Sequence, residues 1–332
     1  MVGARPPYFT APAMKRTEKG PPLKDIFLTR WHPCAWILAA VILVYFRTLF
    51  FGFTYLDDKE LIIDNYGFIS DISNIPQAFM SRVFPKVLVP YYRPILTVTF
   101  MLNSKFGGVD PLSYHLVNIM IHSAVCIMVF FVLKRLWQRP LQAFLMALFF
   151  AVHPALVQAV AWIPGRNDSL LSLFALASFI SFMDYAWRKR RRSFILHLAF
   201  FALALFTKET AIALIPVCFI YWKLMEKESL SLKDMKYFFL GWIAITDLWF
   251  IVRQIALEGS FDSTLYGISS ALFVSSPAVI QYIGKILMPF NLSVFPTIKD
   301  TTFVYGALAA AVISFALWRS RDKRAAFIIF GL

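Results

Sequence analysis

Long apolar blocks dominate the sequence. They fall at about 33–54, 113–134, 141–161, 168–187, 193–207, 209–224, 237–257 and 302–318, each of membrane-crossing or near-crossing length. In a bilayer every backbone N–H and C=O has to be paired within its own segment, so blocks of this kind form helices. Only 16% of residues are charged and 59% are hydrophobic, with a mean hydropathy of +0.65. A soluble domain carries about a quarter charged residues. The expected fold class is an all-α polytopic membrane protein with about eight or more transmembrane helices.

The net charge of +14 does not point to nucleic acid, because the cations sit in short clusters between apolar blocks. "LKRLWQR" (133–139), "WRKRRR" (187–192), "MEKESLSLKDMK" (225–236) and "WRSRDKR" (318–324) are such clusters. Short basic connectors stay in the cytoplasm. Starting from a cytoplasmic N-terminus, strict alternation of the spans puts all four clusters inside, provided that 258–301 forms one outer loop. Residues 1–32 then read as a flexible basic cytoplasmic tail and 33–332 as the transmembrane domain. The first apolar run is too long for a signal-peptide core and lacks a cleavage site, so it is expected to be retained. The apolar run reaching Leu332 resembles the start of a further span, which suggests either a fragment or a segment that is not a helix. Cys34, Cys126 and Cys218 lie in apolar segments at no ligand spacing, so neither a disulfide framework nor a metal site is expected.

The same alternation places two long loops, about 55–112 and 258–301, on the outer side, together with turns at 153–168 and 206–210. Charged groups meet there at one membrane boundary: Asp57/Asp58 in "YLDDKELIIDN", Arg93 in "YYRPILTVTF", Arg166/Asp168 in "PGRNDSLLSLF" and Lys208/Glu209 in "LFTKETAIALIP". Ionisable residues at such a boundary are costly and mark functional sites when they converge. Carboxylates beside fixed cations suit transfer chemistry on an anionic lipid. Arg and Lys hold a phosphate, and a carboxylate takes a proton from an incoming hydroxyl. Structural readings stand beside these. Asp57/Asp58 can be a helix terminus, "TKET" a solvated turn with a local ion pair, and Asn167 or Asp168 a helix cap. His115, His122 and His153 lie at no repeated metal spacing and read as structural histidines.

Five stretches, "YLDDKELIIDN", "YYRPILTVTFMLNSKFGGVDPLSYHLVNIMIH", "FFAVHPALVQAVAWIPGRNDSLLSLFAL", "LFTKETAIALIPV" and "IQYIGKILMPFNLSVF", follow one another. Their order and spacing resemble the membrane region of the transmembrane-and-TPR O-mannosyltransferase family and its bacterial relatives, over about residues 40–300. That family belongs to the C-type (GT-C) glycosyltransferase superfamily. More distant relatives are the protein O-mannosyltransferases and the aminoarabinose transferases. The resemblance implies a GT-C helical bundle with membrane-surface helices in a long first extracytoplasmic loop. It implies a polyprenyl-phosphate-sugar donor and a protein, lipid or glycan hydroxyl acceptor, with the bilayer as medium. It assigns the general base to Asp57, a supporting acid to Asp58, and donor-phosphate binding to Arg93, Lys208 and Arg166. Tyr92, His153, Asp168 and Glu209 are candidate supporting residues. The 258–301 loop would be a lid. No metal or other cofactor is expected, because cations already neutralise the leaving group.

The localisation implied is a bacterial inner membrane or the endoplasmic reticulum, with the active site on the extracytoplasmic side. Eukaryotic members continue into a TPR array outside the membrane; none is expected in this chain, so the acceptor and the sugar stay open. A flippase for lipid-linked sugars or an accessory subunit with a degenerate site are the alternatives. The absence of internal repeats and of midplane charges favours the enzyme.

Overall fold

The computed structural model describes residues 27–84, 90–137, 139–225, 230–258, 278–293 and 303–319. The expected basic tail, except its last residues, and most of the expected lid lie outside them. Among the described residues the chain is helical and contains no strand. The principal helices are α1 His32–Tyr45, α2 Pro94–Gly107, α3 Pro111–Trp137, α4 Pro140–Ala151, α5 Val157–Ala161, α6 Arg166–Arg188, α7 Arg191–Thr207, α8 Leu214–Met225 and α9 Leu232–Ala256. The helices α10 Ala278–Leu287 and α11 Phe303–Arg319 follow.

The count of about eight spans is not reproduced at full crossing length. Four stretches are long and apolar enough: His32–Phe50, Pro111–Trp137, Ile163–Arg188 and Leu232–Ala256. A fifth arises if the pair Pro140–Ala151 and Pro154–Ala161, bent by 51°, is one broken span. The bend falls at Pro154, whose missing N–H ends α4 at Val152. The apolar block 209–224 begins with a 3-10 turn, Glu209–Ala213, which leaves only the 12 residues of α8. At 1.5 Å per residue that helix is about 18 Å long, short of a hydrocarbon core of about 30 Å.

Three packed regions organise the bundle. Phe179, Phe182, Phe201, Cys218, Phe238 and Trp242 join α6, α7, α8 and α9. His197 is the polar centre of this aromatic core. Its Nε2 accepts from Trp242 Nε1 at 2.8 Å, so its Nδ1 carries the proton, facing the Ser178 carbonyl at 3.0 Å. In the second region α1 packs on α3 and α4 through Ile37, Val41, Cys126, Phe130 and Phe144. Ala143, Ala147 and Ala151 repeat at i+4 along α4, all fully buried, and let the helices approach closely. The third region lays the first loop on the bundle, where Leu61, Ile62, Ile69 and Ala78 meet Leu96, Phe100, Tyr114 and Leu170.

Three of the four basic connectors expected on one side share one end of the bundle, and the fourth, 318–324, lies mostly outside the described residues. Arg135 pairs with Asp184 at 2.6 Å, and Lys189 with Asp234 at 2.6 Å. Asp234 also accepts from Tyr185 at 2.9 Å and completes a capping box with Ser231 at the start of α9. Exposed pairs of this kind add about 0–1 kcal/mol each, so their main consequence is positional.

The third region depends on Arg166, which opens α6 and is fully buried. Its Nε donates to Asn118 Oδ1 at 2.6 Å, and its Nη2 to Asn103 Oδ1 and the Tyr114 carbonyl at 2.9 Å each. The guanidinium stacks over the Phe100 ring at 4.8 Å. Gly165 just before it admits no side chain, since an added Cβ would lie 2.2 Å from the Gln158 carbonyl oxygen. Arg166→Leu strands three buried acceptors at about 1–3 kcal/mol apiece, so thermal unfolding of the solubilised protein should show a loss of about 3 kcal/mol or more. Arg166→Lys keeps the charge but not the fork and should retain only part of the stability. A Leu variant as stable as the parent would overturn the assignment.

Candidate active site

The end of the bundle opposite the Arg135 and Asp234 pairs holds the Asp57, Arg93, Lys208, Glu209 and Asp168 side chains. Asp57 and Asp58 begin a short helical segment whose Lys59–Ile63 portion is a π-helix. Single π turns are frequent at functional sites. The two carboxylates have different surroundings. Asp58 is buried, and its Oδ2 accepts from the Thr54 amide at 2.7 Å, closing the turn that precedes it. Its Oδ1 is buried without a partner. Burial raises the Asp58 pKa, opposed by the Thr54 hydrogen bonds and reinforced by Asp57. Asp57 is half-buried and accessible. Burial raises its pKa too, Glu60 one turn on adds to the rise, and the positive charge of Arg93 opposes it. Asp57 therefore has two like-charged neighbours, Glu60 one turn on and the adjacent Asp58.

Arg93 is held by the proline that follows it. A residue before proline is driven out of the helical region, and Arg93 adopts φ −142° and ψ 60° at the N-cap of α2 with Pro94 in the first turn. Its side chain stacks over the Tyr91 ring at 4.7 Å and pairs with Glu209 at 3.7 Å. Its Nε is buried with no partner. Lys208 ends α7 and its Nζ donates to Asp168 Oδ1 in the first turn of α6. Both Arg93 and Lys208 therefore face carboxylates, one from the turn 206–210 and one from "GRND".

Other sequence candidates take structural places. Arg166 does not join the cluster; its fork is occupied within the core. No side chain caps α6, so neither Asn167 nor Asp168 acts as its N-cap, and Gly165 takes that position. Tyr92 is buried and donates to the Phe79 carbonyl at 2.8 Å, tying the first loop to the entry of α2. His153 accepts from the Ala155 amide at Nδ1 (3.3 Å), so Nε2 carries the proton toward the Ile286 carbonyl at 2.9 Å. It pins the bend between α4 and α5 to α10. Arg253 was absent from the sequence candidates, yet its Nη2 donates to the Pro90 carbonyl at 3.2 Å and it lies within electrostatic reach of Glu209. Its position at the end of the seventh apolar block carries the same boundary signal as Lys208. No group of three or more His, Cys, Asp or Glu side chains suited to a metal ion occurs among the described residues.

Curated relatives align with about half of this chain. The protein O-mannosyl-transferase Tmtc1 of Drosophila melanogaster is 32% identical over 185 residues, covering 54% of this chain and 21% of the relative. The protein O-mannosyl-transferase TMTC3 of Mus musculus is 29% identical over 197 residues, 56% of this chain and 21% of the relative. The protein O-mannosyl-transferase TMTC4 of Homo sapiens is 32% identical over 165 residues, 44% and 22% respectively. The chain thus spans about a fifth of the length of these relatives. No solved structure matches it. The sequence model of the dolichyl-phosphate-mannose-protein mannosyltransferase family matches residues 86–253, which include Arg93, Asp168, Lys208, Glu209 and Arg253 but not Asp57 or Asp58. With half of its length matched by that model, this chain belongs to the dolichyl-phosphate-mannose-protein mannosyltransferase family.

Proposed function

We propose that the chain transfers a sugar from a polyprenyl-phosphate-linked donor to a hydroxyl acceptor at the extracytoplasmic face of the membrane, with inversion at the anomeric carbon. Matched relatives are named protein O-mannosyl-transferases, and on that ground mannose and a protein acceptor are the favoured substrates. The observation that carries the reading is the convergence of an accessible carboxylate, Asp57, with Arg93 from a separate helix, close enough for the cation to act on the acid.

In this reading Asp57 takes the acceptor's proton as the oxygen attacks the anomeric carbon. Arg93 and Lys208 stabilise the departing lipid phosphate as negative charge develops on it. Asp58 holds the turn through Thr54 and leaves Asp57 accessible. Glu209 and Asp168 neutralise the two cations in the absence of donor and give way to the phosphate when it arrives. Both are more exposed than the cations they pair with, 43% and 50% against 13% and 22%, so water readily takes their place. The bundle end holding Arg135 and Asp234 then faces the cytoplasm, as does the N-terminus. The cations supply the neutralisation that a metal would otherwise bring.

Asp57→Asn should abolish transfer in membranes supplied with polyprenyl-phosphate sugar while leaving expression and thermal stability at parental levels. Full transfer by that variant would overturn the base assignment, and donor lipid crossing liposomes with no acceptor-linked product would indicate a flippase. The ionised form of Asp57 is the active base and its pKa is raised. The acid limb of the kcat/KM profile should therefore lie above the ordinary carboxylate range, with activity lost as pH falls through it. Glu60→Gln removes a like charge and should shift the limb to lower pH. Arg93→Gln removes the opposing cation and should shift it to higher pH. An unmoved limb in both variants would rule out Asp57 as its source.

A further inference from the structure

Of the four stretches of crossing length, α9 is the least covered: 17% of its apolar window is buried, against 28%, 44% and 50% in the others. Its Met235, Phe238 and Trp242 turn into the aromatic core shared with α6, α7 and α8. The opposite side faces away from the bundle, and it carries Asp247. That carboxylate is exposed and makes no hydrogen bond or ion pair to any described residue.

The depth of Asp247 makes this costly. Lys236 and Arg253 lie toward the two ends of α9. At about 1.5 Å per residue Asp247 sits about 16 Å from the first and about 9 Å from the second, inside a hydrocarbon core of about 30 Å. Asp247 thus corrects the expectation that no charge lies at mid-depth. Because it stands on the outer face of the bundle, it does not line a path through it. An ionisable group at this depth is tolerated when it pairs with another polar group, so a further element has to meet it there.

The residues around Asp247 indicate which element. Lys236, Leu240, Ile243, Asp247, Phe250 and Gln254 follow at alternating steps of four and three residues. This 3.5-residue repeat lines one helix face as a coiled-coil seam, and a single polar residue within such a seam selects partner and register. Leu240, Ile243 and Phe250 are 53%, 54% and 48% exposed. Copies of one membrane protein insert in the same orientation, so two α9 helices meet in parallel. A two-fold axis then sets each seam residue against its own counterpart. Asp247 meets a second carboxyl at its own depth, and the two hydrogen-bond through a shared proton. Gln254, two turns outward, meets a second amide that both donates and accepts. A foreign helix bearing one cation would answer Asp247 alone, whereas self-pairing answers both polar residues at once.

We propose that α9 is the contact helix of a homodimer within the membrane, in which two copies join along the seam from Leu240 to Gln254 and Asp247 is hydrogen-bonded to its counterpart.

The test reconstitutes the full chain at low density in liposomes and follows association by energy transfer between copies labelled at the N-terminus. Asp247→Leu should weaken the dimer about tenfold. Asp247→Asn retains a donor and an acceptor and should keep most of the association. Asp247→Lys should be monomeric alone yet pair with the parent chain on mixing, because acid and base then face each other at one depth. A variant that had merely misfolded would not be rescued in this way. Oxidative cross-linking maps the contact, with the parent and its three cysteines as background. Ile243→Cys and Phe250→Cys should form linked dimers, while Leu248→Cys, at an equally exposed position off the seam, should not. None of these measurements depends on sugar transfer. A monomeric parent, unchanged association of Asp247→Leu, no pairing between Asp247→Lys and the parent, or cross-linking through Leu248→Cys as strong as through the seam would each overturn the proposal.

Discussion

The buried guanidinium of Arg166 is the interaction on which the active end of the bundle depends. A fixed cation in a membrane protein interior, with no carboxylate pairing it among the described residues, is tolerable only if its donors are matched by well-placed oxygens. Asn118, Asn103 and the Tyr114 carbonyl supply them from α2 and α3, while α6 supplies the arginine. The network joins three helices at the level where the first loop lies down. The sheath of Phe100 and Tyr114 around the guanidinium belongs to the same apolar region that covers Leu61 and Ile62. Asp57 stands just before these two residues in the chain, so its position is fixed through that packing.

Two arginines from similar "RP" and "GR" contexts consequently have different fates. Arg93 precedes a proline and enters α2 from outside the helix, which leaves its side chain near Asp57 and Glu209 with one buried donor unused. Arg166 follows a glycine that allows the α5 segment to approach closely, and its side chain is fully buried. Local backbone chemistry decides which cation is available to a ligand and which serves as a fastening.

Much of this was legible in the sequence. Apolar block length fixed the helical membrane class, and the basic clusters gave the pairing of ends that the Arg135–Asp184 and Lys189–Asp234 pairs reproduce. Five motifs in order indicated the family. Burial was not legible, because a charged residue at a span boundary looks the same whether it turns inward or outward. That is why Arg166 read as a ligand to phosphate and Arg253 was passed over. Crossing length was also obscured, since hydropathy cannot see the 3-10 turn that shortens α8 or the bend at Pro154.

The sequence by itself determined that the chain is a bundle of membrane helices with acids and cations gathered at one boundary, because hydropathy and charge act residue by residue. Tertiary structure alone decided which of those charges are free. Asp57 is accessible while Asp58 is tied to Thr54, Arg93 faces Glu209, and Arg166 is enclosed. Those distinctions depend on which side chains from distant segments fill the same space, and no local pattern encodes them.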